Sequence, residues 1–181
     1  MKIAETSLPG VLLLSPTIYR DNRGAFMETW NQNGMAEAGL PTAWVQDNSS
    51  VSKKNVIRGI HYQMVQPQGK LVRVTHGAVL DVAVDLRRSS PTFARHVAVE
   101  LNAEAGQMLY IPVGFGHGFA ALTENVGVAY KVTDYYCPAG ERTIVWNDLD
   151  LAIRWPIAPE STILSDKDAK GARLRDAEVF A

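Results

Sequence analysis

The sequence predicts an all-β fold, a double-sheet jelly roll with short helices at its margins. Three observations lead there. Turn signals recur at short intervals, among them Leu8-Pro9-Gly10, Asp21-Asn22-Arg23-Gly24, His76-Gly77, Glu104-Ala105-Gly106 and Pro138-Ala139-Gly140. The runs between them are short and rich in Val, Ile, Tyr, Phe and Thr, as in sandwiches and barrels of many strands. One run, 77–87, alternates with a period of two rather than 3.6. Leu80, Val82, Val84 and Leu86 share one of its faces; Val79, Asp81, Ala83, Asp85 and Arg87 share the other.

Taken in chain order, each element has a local signal. Residues 33–38, closed by Gly39, carry a short helix. Residues 71–75 read Leu-Val-Arg-Val-Thr, a run whose branched side chains suit a strand. The strand 77–87 follows. Strands at 96–101, 108–111, 126–132 and 142–146 have similar make-up. After Ser165, an N-cap with Asp168 three positions on, the spacing predicts a last short helix.

The 181 residues predict one domain, 1–181, long enough to bury a substantial core. A chain 46% hydrophobic and 20% charged, with 14 glycines and 9 prolines, is neither collagen nor a disordered linker. Eighteen Lys and Arg stand against 19 Asp and Glu, a net charge of -1. That balance argues against a nucleic-acid partner, which needs a basic excess, and leaves room for a cluster that grips one anion. Cys137 is the only cysteine, so no intrachain disulfide marks an oxidising compartment. The best apolar stretch near Met1, residues 11–14, is too short for a signal peptide or a membrane span. The expectation is a cytoplasmic protein with no membrane partner.

Of the four histidines, His76 beside a turn and His96 in a mixed strand read as structural or solvated. His117 closes the run from Gly106 through Pro112 and Gly114. That run matches G-x5-P-x-G-x2-H, the second motif of the cupin superfamily, and the resemblance implies a barrel into which His117 points. Metal-binding cupins carry an earlier H-x-H and a glutamate, whereas Arg58-Gly59-Ile60-His61-Tyr62-Gln63 holds one histidine. Asp81 could nominally complete a two-histidine, one-carboxylate triad, but nothing in its spacing demands it. No metal is expected. The barrel interior then suits proton-transfer groups, with His61, Lys70, His117 and Tyr130 as candidates among apolar walls. Each alone has a bland reading, Lys70 as a loop lysine and Tyr130 as core. The case rests on their occurring together.

A longer series of segments resembles one family. These include residues 21–28, Asp-Asn-Arg-Gly-Ala-Phe-Met-Glu, 46–50, 56–63 and 68–70, Gln-Gly-Lys. Further matches are 81–87, Ser-Pro-Thr-Phe at 90–93, 110–119, 129–136, Glu141, 146–148, 155–156 and 164–168. In this order and number they resemble the dTDP-4-dehydrorhamnose 3,5-epimerases over nearly the whole chain. Gly69 and Gly116 depart from that family's usual alanines, and neither change removes a chemical group.

The resemblance implies a substrate, dTDP-4-dehydro-6-deoxy-D-glucose, whose C4 ketone acidifies the hydrogens on C3 and C5. It implies inversion of both carbons to dTDP-4-dehydro-L-rhamnose, with no redox change and no cofactor. No G-x-G-x-x-G fingerprint is present, in keeping with that. By resemblance His61 is the base and Asp168 its partner. Tyr130 is the acid on the opposite face, and Lys70 stabilises the enolate oxygen. His117, with Asp81 behind it, assists at the carbonyl or the sugar hydroxyls. Arg23, Arg58 and Lys167 match positions near the diphosphate and sugar, where guanidinium forks suit phosphate. Gln46, Asn48, Glu28 and Glu141 bond sugar and base edges, and Tyr136 and Phe26 stack on thymine. A homodimer is implied, with Arg23, Phe26 and Glu28 serving the neighbour's site.

Arg58 and His61, three positions apart, fall on opposite faces of a regular strand. A bulge at Gly59 would reconcile them. Three rivals also stand: a 3-epimerase acting at one carbon, a catalytically inert sugar-nucleotide-binding cupin and a metal-dependent cupin oxygenase.

Overall fold

A computed structural model describes residues 1–181. Its strands, in chain order, are β1 (Lys2–Glu5), β2 (Leu12–Ser15), β3 (Ile18–Asp21), β4 (Gly24–Met27), β5 (Gln46–Ser52), β6 (Ile57–Gln63) and β7 (Lys70–His76). They continue with β8 (Ala78–Asp85), β9 (His96–Asn102), β10 (Met108–Ile111), β11 (Phe115–Ala121), β12 (Val126–Val132) and β13 (Glu141–Thr143). One sheet has the order β1-β2-β10-β7-β12-β5, the other β13-β6-β11-β8-β9, and β3–β4 form a separate hairpin. From β5 to β8 successive strands alternate between the two sheets. Paired strands run antiparallel throughout. This is the expected jelly roll.

The strands at 108–111 and 126–132 lie where the sequence places them. The one expected at 142–146 is shorter. After Thr143 the chain turns to Ala172, which accepts from the Val145 N–H at 2.9 Å. The buried Asp148 carboxylate then closes the turn by accepting from Asp150, Leu151 and Leu174 N–H groups. The strand from 77 ends at Asp85. Its carboxylate accepts from the Arg87 backbone and guanidinium and from the Ser90 and Thr92 hydroxyls. Helix α1 (Gln32–Glu37) is capped by the Asn31 side chain, and Gly39 ends it at φ +69. Helix α2 (Asp166–Ala169) is capped by Ser165.

Both faces of β8 are buried. Its inward Val79 and Ala83 meet Val72, Val74, Leu109, Ile111, Val126 and Val128 of the facing sheet. Its outward Val82 and Val84 pack with Ile144, Leu151 and Leu174 of the C-terminal segment. Burial of each such side chain contributes about 1.5–3 kcal/mol.

The inward positions place the site. Along β12 they read Val126, Val128, Tyr130; along antiparallel β7 they read Val74, Val72, Lys70. An apolar plug thus fills one end of the barrel, and polar groups begin at the other.

Strand β6 supplies the groups opposite. His61 pairs with His117 but Arg58 pairs with Phe119, so three steps on β6 face two on β11. The extra residue is the expected bulge. Gly59 sits there at φ +117, and a Cβ on it would lie 2.5 Å from Gly118 Cα. Ile60 turns outward into the second core, while Arg58 and His61 line one cavity.

Candidate active site

The cavity has a volume of about 320 Å³. The five-stranded sheet contributes Arg58 and His61 from β6, His117 and Phe119 from β11, and Glu141 from β13. The six-stranded sheet contributes Gln46 and Asn48 from β5, Lys70 from β7 and Tyr130 from β12. Tyr136 and Lys167 close the mouth.

His61 Nε2–H donates to Asp168 Oδ1 at 2.5 Å. The Gly59 N–H donates to the same oxygen at 3.3 Å, and the Ser165 hydroxyl to Oδ2 at 2.6 Å. Asp168 is 3% exposed, so these bonds replace its water. With the proton held on Nε2, the ring nitrogen Nδ1 is the one left to accept another. Burial lowers the His61 pKa from its ordinary value, and the Asp168 bond works against that. Burial alone would raise the Asp168 carboxyl, but the His61 and Ser165 bonds outweigh it and the net shift is down. A neutral imidazole beside an ionised carboxylate is a base held in one tautomer.

Lys70 is 8% exposed and donates to the His61 carbonyl at 3.4 Å. Burial pushes its pKa down to about 8, against the pull of Asp81 and Glu141. At pH 7 it is still mostly an ammonium, and it lines the cavity. Tyr130 faces His61 from the other sheet. Burial raises its pKa, while Arg58 and Lys167 pull the other way, so it holds its proton and has cations near to receive a phenolate. His117 Nε2 lies 3.0 Å from both oxygens of the fully buried Asp81, the partner expected for it.

At the mouth Lys167 Nζ donates to Glu141 Oε1 at 2.8 Å, and the Tyr136 hydroxyl to Oε2 at 3.2 Å. Arg58 Nε donates to Ser52 Oγ at 3.0 Å. Three expected residues lie elsewhere. Arg23, Phe26 and Glu28 sit on or just after the β3–β4 hairpin, outside the cavity of their own chain. Phe26 is 70% exposed, and Arg23 pairs only with Asp21.

Several residues of the site carry no label in the sequence reading. Gln63 binds the Gln66 and Tyr135 carbonyls and accepts from the Cys137 N–H. Gln68 donates to the Asp134 carbonyl. Both line the cavity and hold the loop that carries Tyr136. The signal available was their place in the motifs at 56–63 and 68–70.

Fold and site together define a jelly-roll barrel whose two sheets bring a carboxylate-bound histidine, a buried lysine and a tyrosine to one cavity. The sequence pattern of the dTDP-4-dehydrorhamnose 3,5-epimerase family matches residues 5–176. The chain belongs to that family. It is 49% identical over 181 residues to the dTDP-4-dehydrorhamnose 3,5-epimerase of Pseudomonas aeruginosa, covering 99% of each chain. It is similar to the crystal structure of the Legionella pneumophila dTDP-6-deoxy-D-glucose-3,5-epimerase in complex with dTDP-4-keto-L-rhamnose. That match has a TM-score of 0.94 and 44% identity, and covers 98% of this chain and 94% of the other. It is also similar to a 3'-monoepimerase of Streptomyces bikiniensis in complex with dTDP-quinovose. There the TM-score is 0.88 and the identity 35%, with 94% and 86% covered.

Proposed function

We propose that this protein inverts C3 and C5 of dTDP-4-dehydro-6-deoxy-D-glucose, giving dTDP-4-dehydro-L-rhamnose for dTDP-L-rhamnose biosynthesis. The observation that carries the reading is His61 on one sheet, bonded to Asp168, in the same cavity as Tyr130 and Lys70 of the other sheet. Neutral His61 takes the proton from a carbon next to the ketone. The electrons move onto the C4 oxygen, where the Lys70 ammonium stabilises the enolate more than the ketone. Tyr130 then gives its proton to the far face of that carbon. Both reacting carbons flank C4, so one base and one acid serve each in turn, His61 giving its proton to water and Tyr130 taking one from water between the two inversions. Arg58 and Lys167 face the diphosphate, and His117 the carbonyl and hydroxyls. Gln46, Asn48 and Glu141 bond the sugar and base, and Tyr136 stacks on thymine. The proposed site of action is the cytoplasm, and no helix is long and apolar enough to cross a membrane.

The test is proton NMR of the purified protein with the 4-keto sugar nucleotide in deuterium oxide. Deuterium at both C3 and C5 is expected. Uptake at one carbon would make the protein a 3-epimerase, and uptake at neither would make it a binding protein.

We further propose a homodimer in which the β3–β4 hairpin carries Arg23, Phe26 and Glu28 to the neighbour's cavity. An exposed phenylalanine and arginine outside their own site fit this. Mixing inactive Arg23→Ala and His61→Ala subunits should restore activity, because a mixed dimer has one complete site. About a quarter of wild-type activity is expected from random pairing. No restoration would place the hairpin's role within its own chain.

A further inference from the structure

We infer that Ser165 is a positioning residue for the base, its hydroxyl holding Asp168 so that Ser165, Asp168 and His61 form one hydrogen-bonded chain into the cavity. The inference rests on the reading of His61 as the base. Ser165 is the N-cap of α2 and Asp168 stands three positions on, the spacing of a capping box. In an ordinary capping box the carboxylate at that position turns back to the N-cap backbone N–H. Here Oδ1 turns instead to His61 Nε2, and the Ser165 hydroxyl donates to Oδ2 at 2.6 Å. The same hydroxyl accepts from the Asp168 N–H at 3.2 Å. One oxygen therefore caps the helix and anchors the carboxylate.

The two roles have different consequences. A cap affects only how well α2 forms. A donor on Oδ2 draws off part of the carboxylate's charge, which otherwise acts on the imidazole. It also fixes the rotation of Asp168 and hence the direction from which the His61 ring is held. Without the hydroxyl, the buried carboxylate keeps only the His61 proton and the longer Gly59 N–H bond, both on Oδ1, so it leans harder on His61, the imidazolium is favoured and its pKa rises. The other ionisable groups facing the ring are Lys167 of α2, Lys70 of β7, Glu141 of β13, His117 of β11 and Tyr130 of β12, with Arg58 on the same strand. None of them bonds to Asp168, so removing the Ser165 hydroxyl leaves their direct contacts in place.

The experiment is an NMR titration of the histidine Cε1–H signals in the full-length protein without substrate. The His61 signal is assigned by its loss in His61→Gln. Ser165→Ala removes cap and donor; Ser165→Gly removes the donor but keeps most of the cap; Ser165→Thr keeps both. The His61 midpoint should rise by about one pH unit in the alanine and glycine variants and stay put in the threonine variant. The acid limb of kcat/KM should move with it. A Ser165→Gly midpoint at or below the wild-type value would overturn the inference, leaving Ser165 a cap only. Because the titration needs no substrate, its outcome is separate from that of the proposed reaction. A shifted midpoint in a protein that exchanges no sugar protons would remove the reaction and keep the hydrogen-bonded chain.

Discussion

Lys70 is a buried ammonium with its pKa lowered from 10.5 to about 8, so it strains the fold at the place where the proposed reaction needs a cation. The unfolded chain binds the extra proton between about pH 8 and 10.5, so stability rises with pH across that window. At pH 7 the shift, with the pull of Asp81 and Glu141 already included, corresponds to about 3 kcal/mol. Lys70→Met should therefore raise stability at pH 7 by about 2 kcal/mol in urea unfolding while removing turnover. A destabilised variant would contradict the burial argument. The rate should fall as pH rises through about 8, where Lys70 loses its proton. It should also fall on the acid side, below the lowered pKa of His61, where the base is protonated. A profile that stays flat above pH 9 would exclude Lys70 from the chemistry. His61→Ala should abolish solvent exchange at both carbons, since one ring is assigned to both. Tyr130→Phe removes only a hydroxyl. Epimerisation should fall about 10²–10⁴-fold while exchange falls less, the deuterium returning to the face it left. If that variant inverts as fast as it exchanges, water or His61 handles both protons.

The bulge in β6 is the element on which the site turns. Without it, Arg58 or His61 faces the outer core where Ile60 now packs with Val82 and Val84. A Cβ at residue 59 meets His117 O at 2.6 Å and Gly118 Cα at 2.5 Å, and neither is a side chain that can swing away. Gly59→Ala should cost about 3 kcal/mol and lower kcat/KM together with stability. A variant of wild-type urea midpoint would show that β6 can relax around the methyl group. This device was legible in the sequence. Two functional residues three apart around a glycine cannot share a face unless the strand is bulged. The capped helix after Ser165 was legible for a similar reason, because its signal lies within four residues. The strand at 142–146 was misjudged because its end is set by contacts from residue 172, which leave no mark near residue 144. Gln63 and Gln68 are not legible because their partners are backbone groups, most of them in the distant loop 134–137, and any sequence supplies those.

For the molecule as a whole, the alternation of Val, Val and Tyr along β12, and of Val, Val and Lys along β7, already separates a dry end of the barrel from a reactive one. Sequence pattern gave the inward faces; it could not give which inward residues meet across the barrel, since that depends on how the two sheets are laid together. Hence His61 and Tyr130 appear in the sequence as two good candidates, and only the fold makes them opponents. The division has a mechanical consequence. No covalent link or strand pairing fixes the gap between base and acid; the plug of Val72, Val74, Val126 and Val128 against Val79, Ala83 and Phe119 does so, like the pivot of a caliper. Stereochemical fidelity is then a property of packing several residues away from the sugar. Val128→Ala, which removes no group from the cavity lining, should cost about 2 kcal/mol and raise the share of deuterium returned without inversion. If that share stays at the wild-type level, the jaws are set locally by the site itself. If it rises, handedness in the product is being gauged by the hydrophobic core.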